Sequence, residues 1–330
     1  MKTIWFGLAA LAWLGAPAFA QGLAPGDRQA VIDAVAAHLA TDYVEAEASG
    51  KDAAGALKAA FEAGEFDQAE DGEAFAALVG ARLRALTGDG HLNVEYAEEE
   101  IADSDEAEEA FDGAQMERWY GAHRNYGVQK IERLEGNVGY LDLRVFAPID
   151  MGGETVAAAM TVVADTDALI IDLRHNSGGI GDMADLVASY LFGTERQPLT
   201  GTYDRPTDTL TQRFTQPMVP GKRFGPDKPV YVLIAERTFS AAEALAYNLQ
   251  ALDRATIVGE PSGGGAHPFE YVRIHPNFVL WSVTAKSVNP ITKSNWQGVG
   301  VFPDVVVESD QALQRALEEL ALDDKEDADR

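Results

Sequence analysis

The chain has 330 residues, no cysteine, and 26 basic against 53 acidic side chains, a formal charge of −27 at pH 7. An anionic excess of that size repels nucleic acid and anionic membrane surfaces. Without cysteine there is neither a disulfide framework nor lipid attachment through a thiol, so the fold must rest on its core, and a chain this long can bury an ample one. In chain order, Lys2 supplies a basic start, Ile4 to Ala18 is apolar, and Ala18-Phe19-Ala20 has the small-x-small form of a cleavage site. Residues 1–20 therefore read as a signal peptide, which places the mature protein in the periplasm or outside the cell. No later segment approaches the roughly 18 unbroken apolar residues of a membrane span, so no integral membrane segment is expected once the signal is removed.

Residues 21–96 read as an N-terminal helical subdomain. Val31, Val35, Ala36 and Leu39, and later Phe75, Leu78, Val79, Leu83 and Leu86, recur at helical spacing. Gly88-Asp89-Gly90 breaks the pattern, and His91 to Tyr96 alternates like a strand. The acidic stretch 97–125 is expected as a linker and 323–330 as an acidic tail, both solvated rather than ligand-binding. Between them, residues 126–322 alternate strands with helices. Strand-like runs fall at Val138–Leu143, Ala168–Leu173, Val230–Ile234, Thr256–Val258 and Val279–Val283, with helices at Val156–Val163, Met183–Leu191 and Ala241–Leu252. That order predicts a layered α/β domain with partly parallel strands.

Ligands of open α/β sheets gather where strand-to-helix turns converge, and two such turns carry chemistry. The first, Asp172-Leu173-Arg174-His175-Asn176-Ser177-Gly178-Gly179, has paired glycines that let backbone N–H groups approach a bound atom, although a plain glycine turn has the same composition. The second, Thr238-Phe239-Ser240-Ala241-Ala242-Glu243, puts Ser240 at a helix N-terminus. There a hydroxyl is exposed at the positive end of the dipole and the Ala241 N–H can help hold an oxyanion. The same Ser-x-x-Glu spacing is also a capping box, so spacing alone leaves both roles open.

Four segments in order resemble the tail-specific (carboxy-terminal-processing) serine protease family over most of residues 70–310. They are Gly136-Asn137-Val138-Gly139-Tyr140-Leu141, the Asp172–Gly179 turn, Ser240-Ala241-Ala242-Glu243 and Gly300-Val301-Phe302-Pro303-Asp304. The likeness is greatest to the branch related to interphotoreceptor retinoid-binding protein and the tricorn protease core. It implies a ClpP/crotonase-like layered core, a protein or peptide substrate, Ser240 as nucleophile, and an oxyanion site at Gly178 and Ala241 with Gly179 beside them. No metal and no organic cofactor are implied.

Three departures follow. In the stretch Gly259-Glu260-Pro261-Ser262-Gly263-Gly264-Gly265, Gly264 stands where processing proteases of the family carry a lysine, and there is no room for a PDZ domain between Tyr96 and the strand near Val128. A serine hydroxyl without a lysine needs another base. His91, in Asp89-Gly90-His91, resembles the tricorn-type histidine and is preferred, with His267, in Gly265-Ala266-His267-Pro268, as the alternative base. Gln297 falls where tricorn-like members carry a supporting glutamate; glutamine keeps the hydrogen bonding and loses the charge. The expected function is an extracytoplasmic serine peptidase acting through an acyl-enzyme. The alternative is a binding protein for a hydrophobic ligand or peptide on the same fold.

Overall fold

The computed structural model describes residues 23–101, 113 and 116–328, with side chains as far as residue 322. The expected signal peptide and most of the acidic stretch 102–115 lie outside the described residues. Three helices open the chain: α1 (Pro25–Thr41), α2 (Lys51–Glu62) and α3 (Gly72–Thr87). Asp71 starts α3 by accepting a hydrogen bond from the Ala74 N–H at 2.8 Å, and Gly88 ends it in the left-handed conformation (φ 69°) that glycine adopts without steric cost. The expected strand over 91–96 begins late, as β1 (Asn93–Tyr96). The Asp89 carboxylate accepts from the His91 N–H at 3.0 Å, and that side-chain turn holds His91 out of the strand.

The main sheet has six strands in the order β12-β8-β7-β4-β3-β2. They are β2 (Val128–Leu134), β3 (Val138–Leu143), β4 (Ala168–Asp172), β7 (Val230–Ile234), β8 (Thr256–Gly259) and β12 (Val305–Val306). All neighbours run parallel except β2, which is antiparallel to β3. Successive side chains of a strand point to opposite faces. Leu169, Ile171, Val232 and Ile234 accordingly enter the core under α4 (Ile149–Val163), α5 (Gly181–Tyr190) and α6 (Ala241–Ala251), while Ile170, Tyr231 and Leu233 enter the smaller core under α7 (Ala312–Ala328). Burial of each such aliphatic side chain contributes about 1.5–3 kcal/mol. Helix α7 continues to Ala328, so the stretch expected as a tail from 323 is helical up to that residue.

Two smaller sheets complete the fold. One has the order β11-β5-β6, from β5 (Pro198–Asp204), β6 (Thr209–Phe214) and β11 (Ala285–Val288). The other, β1-β10-β9, joins β1 to β9 (Glu270–His275) and β10 (Phe278–Ser282), with Val94 opposite Leu280 and Tyr96 opposite Phe278. The core of the three N-terminal helices includes Phe278, Leu280 and Val283. The boundary expected at 96 is therefore crossed by a late segment of the chain. Among the described residues no helix is long and apolar enough to cross a membrane.

Candidate active site

Strands β4 and β7 are neighbours, so the turns at their C-terminal ends lie side by side. The Phe239 N–H donates to the Asn176 carbonyl at 3.1 Å and the Thr238 hydroxyl to the Leu173 carbonyl at 2.8 Å, stitching the two turns together. Ser240 sits at the first position before α6 with φ 54° and ψ −120°, a backbone conformation that a non-glycine residue holds only under constraint, at a cost of about 1–3 kcal/mol.

Gly178 (φ 101°) lies directly against it: a Cβ at Gly178 would come within 2.7 Å of the Ser240 Cβ and 3.1 Å of the Ala241 nitrogen. Glycine is thus required here for the two turns to meet. The Gly178 N–H, expected as an oxyanion donor, already donates to Asn176 Oδ1 at 2.8 Å. That N–H is engaged in this arrangement, and the glycine gives Ser240 clearance. Gly179 (φ 122°) follows, bridged to Phe146. The Asn176 side chain is wholly buried and its Nδ2 has no hydrogen-bond partner.

Glu243 ties a third loop to the nucleophile turn. Its Oε2 accepts from the Ser240 N–H and the Gly265 N–H, each at 2.8 Å, and its Oε1 from the Ser262 hydroxyl and the Gly264 N–H, each at 2.6 Å. Burial raises the Glu243 carboxyl above its ordinary value, while four donors favour the anion. The capping-box half that runs from Glu243 back to Ser240 is therefore present, and the same carboxylate anchors the loop after β8. Gly264, at the position of the family's lysine, has φ 84°, and a Cβ there would lie 3.1 Å from Gly298 C and Val299 N. A side chain at that point would be crowded by this backbone and strained by the left-handed conformation.

The two candidate bases meet at one carboxylate. Asp89 is fully buried. Its Oδ2 lies 2.6 Å from His267 Nδ1 and accepts from the Tyr43 hydroxyl at 3.1 Å; its Oδ1 accepts the His91 N–H and lies 3.8 Å from His91 Nδ1. Burial alone would raise the Asp89 carboxyl, but the His267 hydrogen bond and the neighbouring imidazoles hold it below the usual carboxylate value. The His91 ring packs on Phe239, the residue before Ser240, with centroids 4.8 Å apart, and on Phe269 at 5.7 Å. Burial drives its pKa down to about 4, which keeps the imidazole neutral near pH 7. Its Nδ1 is buried without a hydrogen-bond partner. Gln297 reaches the same region differently from a supporting glutamate: its Oε1 accepts from the Ala266 N–H at 2.7 Å, bracing the loop that carries His267. Sequence reasoning quoted Asp89 as a turn residue and assigned it no role; an aspartate two residues before a histidine in a glycine turn was the available signal. Among the described residues, no group of three or more metal-ligating side chains could hold a metal ion.

Residues 137–307 match the model of peptidase family S41. The chain belongs to that family. It is similar to the carboxy-terminal-processing protease of Bartonella bacilliformis, 31% identical over 185 residues, 53% of this chain and 40% of that protein. It is also similar to the chloroplastic carboxyl-terminal-processing peptidase 3 of Arabidopsis thaliana, 30% identical over 170 residues, 51% of this chain and 31% of that protein. The chain thus spans less than half the length of these curated relatives. In overall fold it is similar to a solved chain from Parabacteroides merdae, with a TM-score of 0.61, 18% identity, and coverage of 89% of this chain and 96% of that one. A lipoprotein from Streptococcus agalactiae gives a TM-score of 0.59 at 12% identity, with 91% and 98% covered. The S41 match begins at Asn137, so Ser240, Glu243 and His267 fall inside it and Asp89 and His91 outside.

Proposed function

We propose that the protein is an extracytoplasmic serine peptidase that hydrolyses peptide bonds through an acyl-enzyme on Ser240. The observation that carries this reading is the constrained Ser240 backbone at the start of α6, pressed against Gly178 and locked by Glu243. A strained strand-to-helix turn of this kind presents a hydroxyl to a substrate carbonyl, and a helix cap alone does not call for such strain. The hydroxyl oxygen attacks the carbonyl carbon while its proton passes to an imidazole. The N–H groups of Ala241 and Gly179 receive the oxyanion. Collapse breaks the C–N bond, the imidazole returns the proton to the departing amine, and water releases the acid from the ester by the reverse sequence. His91 is the proposed base, because its ring contacts the residue next to Ser240 and is neutral near pH 7. His267 remains the alternative, since its Nδ1 already bonds Asp89. Extracytoplasmic placement is supported by the signal-like residues 1–20.

The second reading, a binding protein for a peptide or hydrophobic ligand, is favoured by the closure of the lysine position at Gly264. Fluorophosphonate labelling separates the two. Wild-type protein should label and Ser240→Ala should not, with peptide turnover falling by several orders of magnitude. The capping defect alone costs about 0.5–2 kcal/mol and shows in the melting temperature instead. Wild-type protein that neither labels nor cleaves a broad peptide library favours the binder, and turnover surviving in Ser240→Ala moves the nucleophile elsewhere.

A further inference from the structure

The geometry points to Asp89 as the positioning residue of the general base: its Oδ1 takes the His91 Nδ1–H in the working state, while His267 and Tyr43 hold its Oδ2 in place. This rests on the reading of Ser240 as nucleophile and His91 as base. Three observations carry it. Asp89 has no exposed surface, and its two oxygens divide their partners cleanly, with the Tyr43 hydroxyl and His267 Nδ1 on one and the His91 backbone on the other. The Oδ1 atom stands 3.8 Å from His91 Nδ1, about 1 Å beyond a hydrogen bond. His91 Nδ1 is itself a buried polar atom with no partner, a condition that native interiors tolerate mainly where the group has work to do.

Closing that gap fixes the tautomer. With the proton on Nδ1 and shared with Asp89, the basic lone pair is on Nε2, the nitrogen left to serve Ser240, and the imidazolium formed during attack faces a carboxylate. The charged and titratable groups that face Asp89 are Tyr43 from the segment after α1, His91 from its own turn, and His267 from the loop after β8. The Tyr43 hydroxyl is pushed up by burial and by Asp89, so it stays a donor throughout the working pH range. Neither oxygen of Asp89 can turn away without breaking a bond to one of these groups.

Asp89→Asn tests the assignment. Asparagine can keep its oxygen on the His91 N–H only by directing its amide at His267, which leaves no anion for the His91 imidazolium. The expected result is a fall in kcat of about 10²–10⁴-fold with KM within about threefold. No further loss is expected when Asp89→Asn is added to His91→Ala, because the carboxylate acts through that ring. Should Asp89→Asn fold poorly, Tyr43→Phe removes one support and keeps the anion. A several-fold fall in kcat is expected there, together with a shift of the acid limb of the kcat/KM profile. The ¹⁵N resonances of His91 give a readout independent of turnover. Wild-type protein should show the Nδ1–H tautomer at neutral pH, and Asp89→Asn, which faces it with a neutral oxygen in place of the carboxylate, should populate it less, whether or not the protein cleaves peptides. An Nε2–H tautomer in the wild type overturns the inference, as does an equal loss of kcat from Asp89→Asn with and without His91. Failure of wild-type protein to label at Ser240 would instead remove the peptidase reading and leave the tautomer result to judge Asp89.

Discussion

Replacing Glu243 by glutamine changes one atom and tests how strongly the nucleophile turn is held. Each carboxylate oxygen accepts two hydrogen bonds at 2.6–2.8 Å, from the Ser240, Gly264 and Gly265 N–H groups and the Ser262 hydroxyl. Glutamine keeps one oxygen and turns an NH₂ toward the other pair. Its best orientation faces Ser262, whose hydroxyl can rotate to accept, and this strands the Gly264 N–H. An orphaned buried donor costs about 1–3 kcal/mol, and the two bonds kept weaken by about 0.5–1 kcal/mol each as the acceptor loses its charge. Relief of burying an anion offsets part of this. The net expectation is a loss of about 2–4 kcal/mol, measured by urea unfolding. Because the bond that clamps the strained Ser240 backbone is kept but weakened by about 0.5–1 kcal/mol, fluorophosphonate labelling should slow about two- to fivefold. A stability change under about 1 kcal/mol with an unaltered labelling rate would refute the view that this carboxylate holds the three turns together.

Two further outcomes follow from the site. Burial holds the folded pKa of His91 near 4 against an ordinary 6.5, so above pH 6.5 the ring is neutral in both states and contributes no pH dependence. As pH falls through that window the unfolded chain takes a proton that the folded chain refuses, and stability drops by about 2–3 kcal/mol by pH 4.5. His91→Phe keeps an aromatic ring on Phe239 and should lose that much less between pH 7 and 4.5 in urea unfolding; parallel losses would contradict the assigned burial effect. Gly264→Lys, which restores the family's residue type, should destabilise by about 1–3 kcal/mol through its left-handed backbone and crowding against Gly298, and should not raise peptide turnover. A gain in kcat would show that the loop can reopen.

The central layers were legible because β4 and β7 are unbroken apolar runs that only a two-sided burial explains, and because α6 begins at a capping sequence. Helix α4 begins at Ile149, ahead of the expected Val156, and takes in Gly152, which lets the helix approach Tyr126 and Ala147, where a Cβ would come within 2.8 Å of the Tyr126 Cβ. The β9 strand and the hairpin β5–β6 mix polar and apolar residues without clear alternation, since each is only partly buried. In the site, Ser240, His91 and His267 are singled out through the family resemblance, while spacing alone gives Ser240 and Glu243 the form of a capping box. Asp89 could not be given a role, because its partners stand 46 and 178 positions away along the chain, and no local pattern encodes a contact of that range. Nor could spacing reveal that the Gly178 N–H is spoken for by Asn176, a matter of one side-chain rotamer.

The pairing of β1 with β10 also sets a timetable. A chain made from its N-terminus displays the Asp89-Gly90-His91 turn early, yet the strand that seats it, Phe278–Ser282, and the histidine that shares Asp89, 178 positions on, are made much later. Contacts between such distant segments form late, after the parts between them have found their places. The nascent chain therefore carries Asp89 without His267 until 178 further residues have been made. The centre proposed around Asp89 can assemble only once synthesis has passed Ser282.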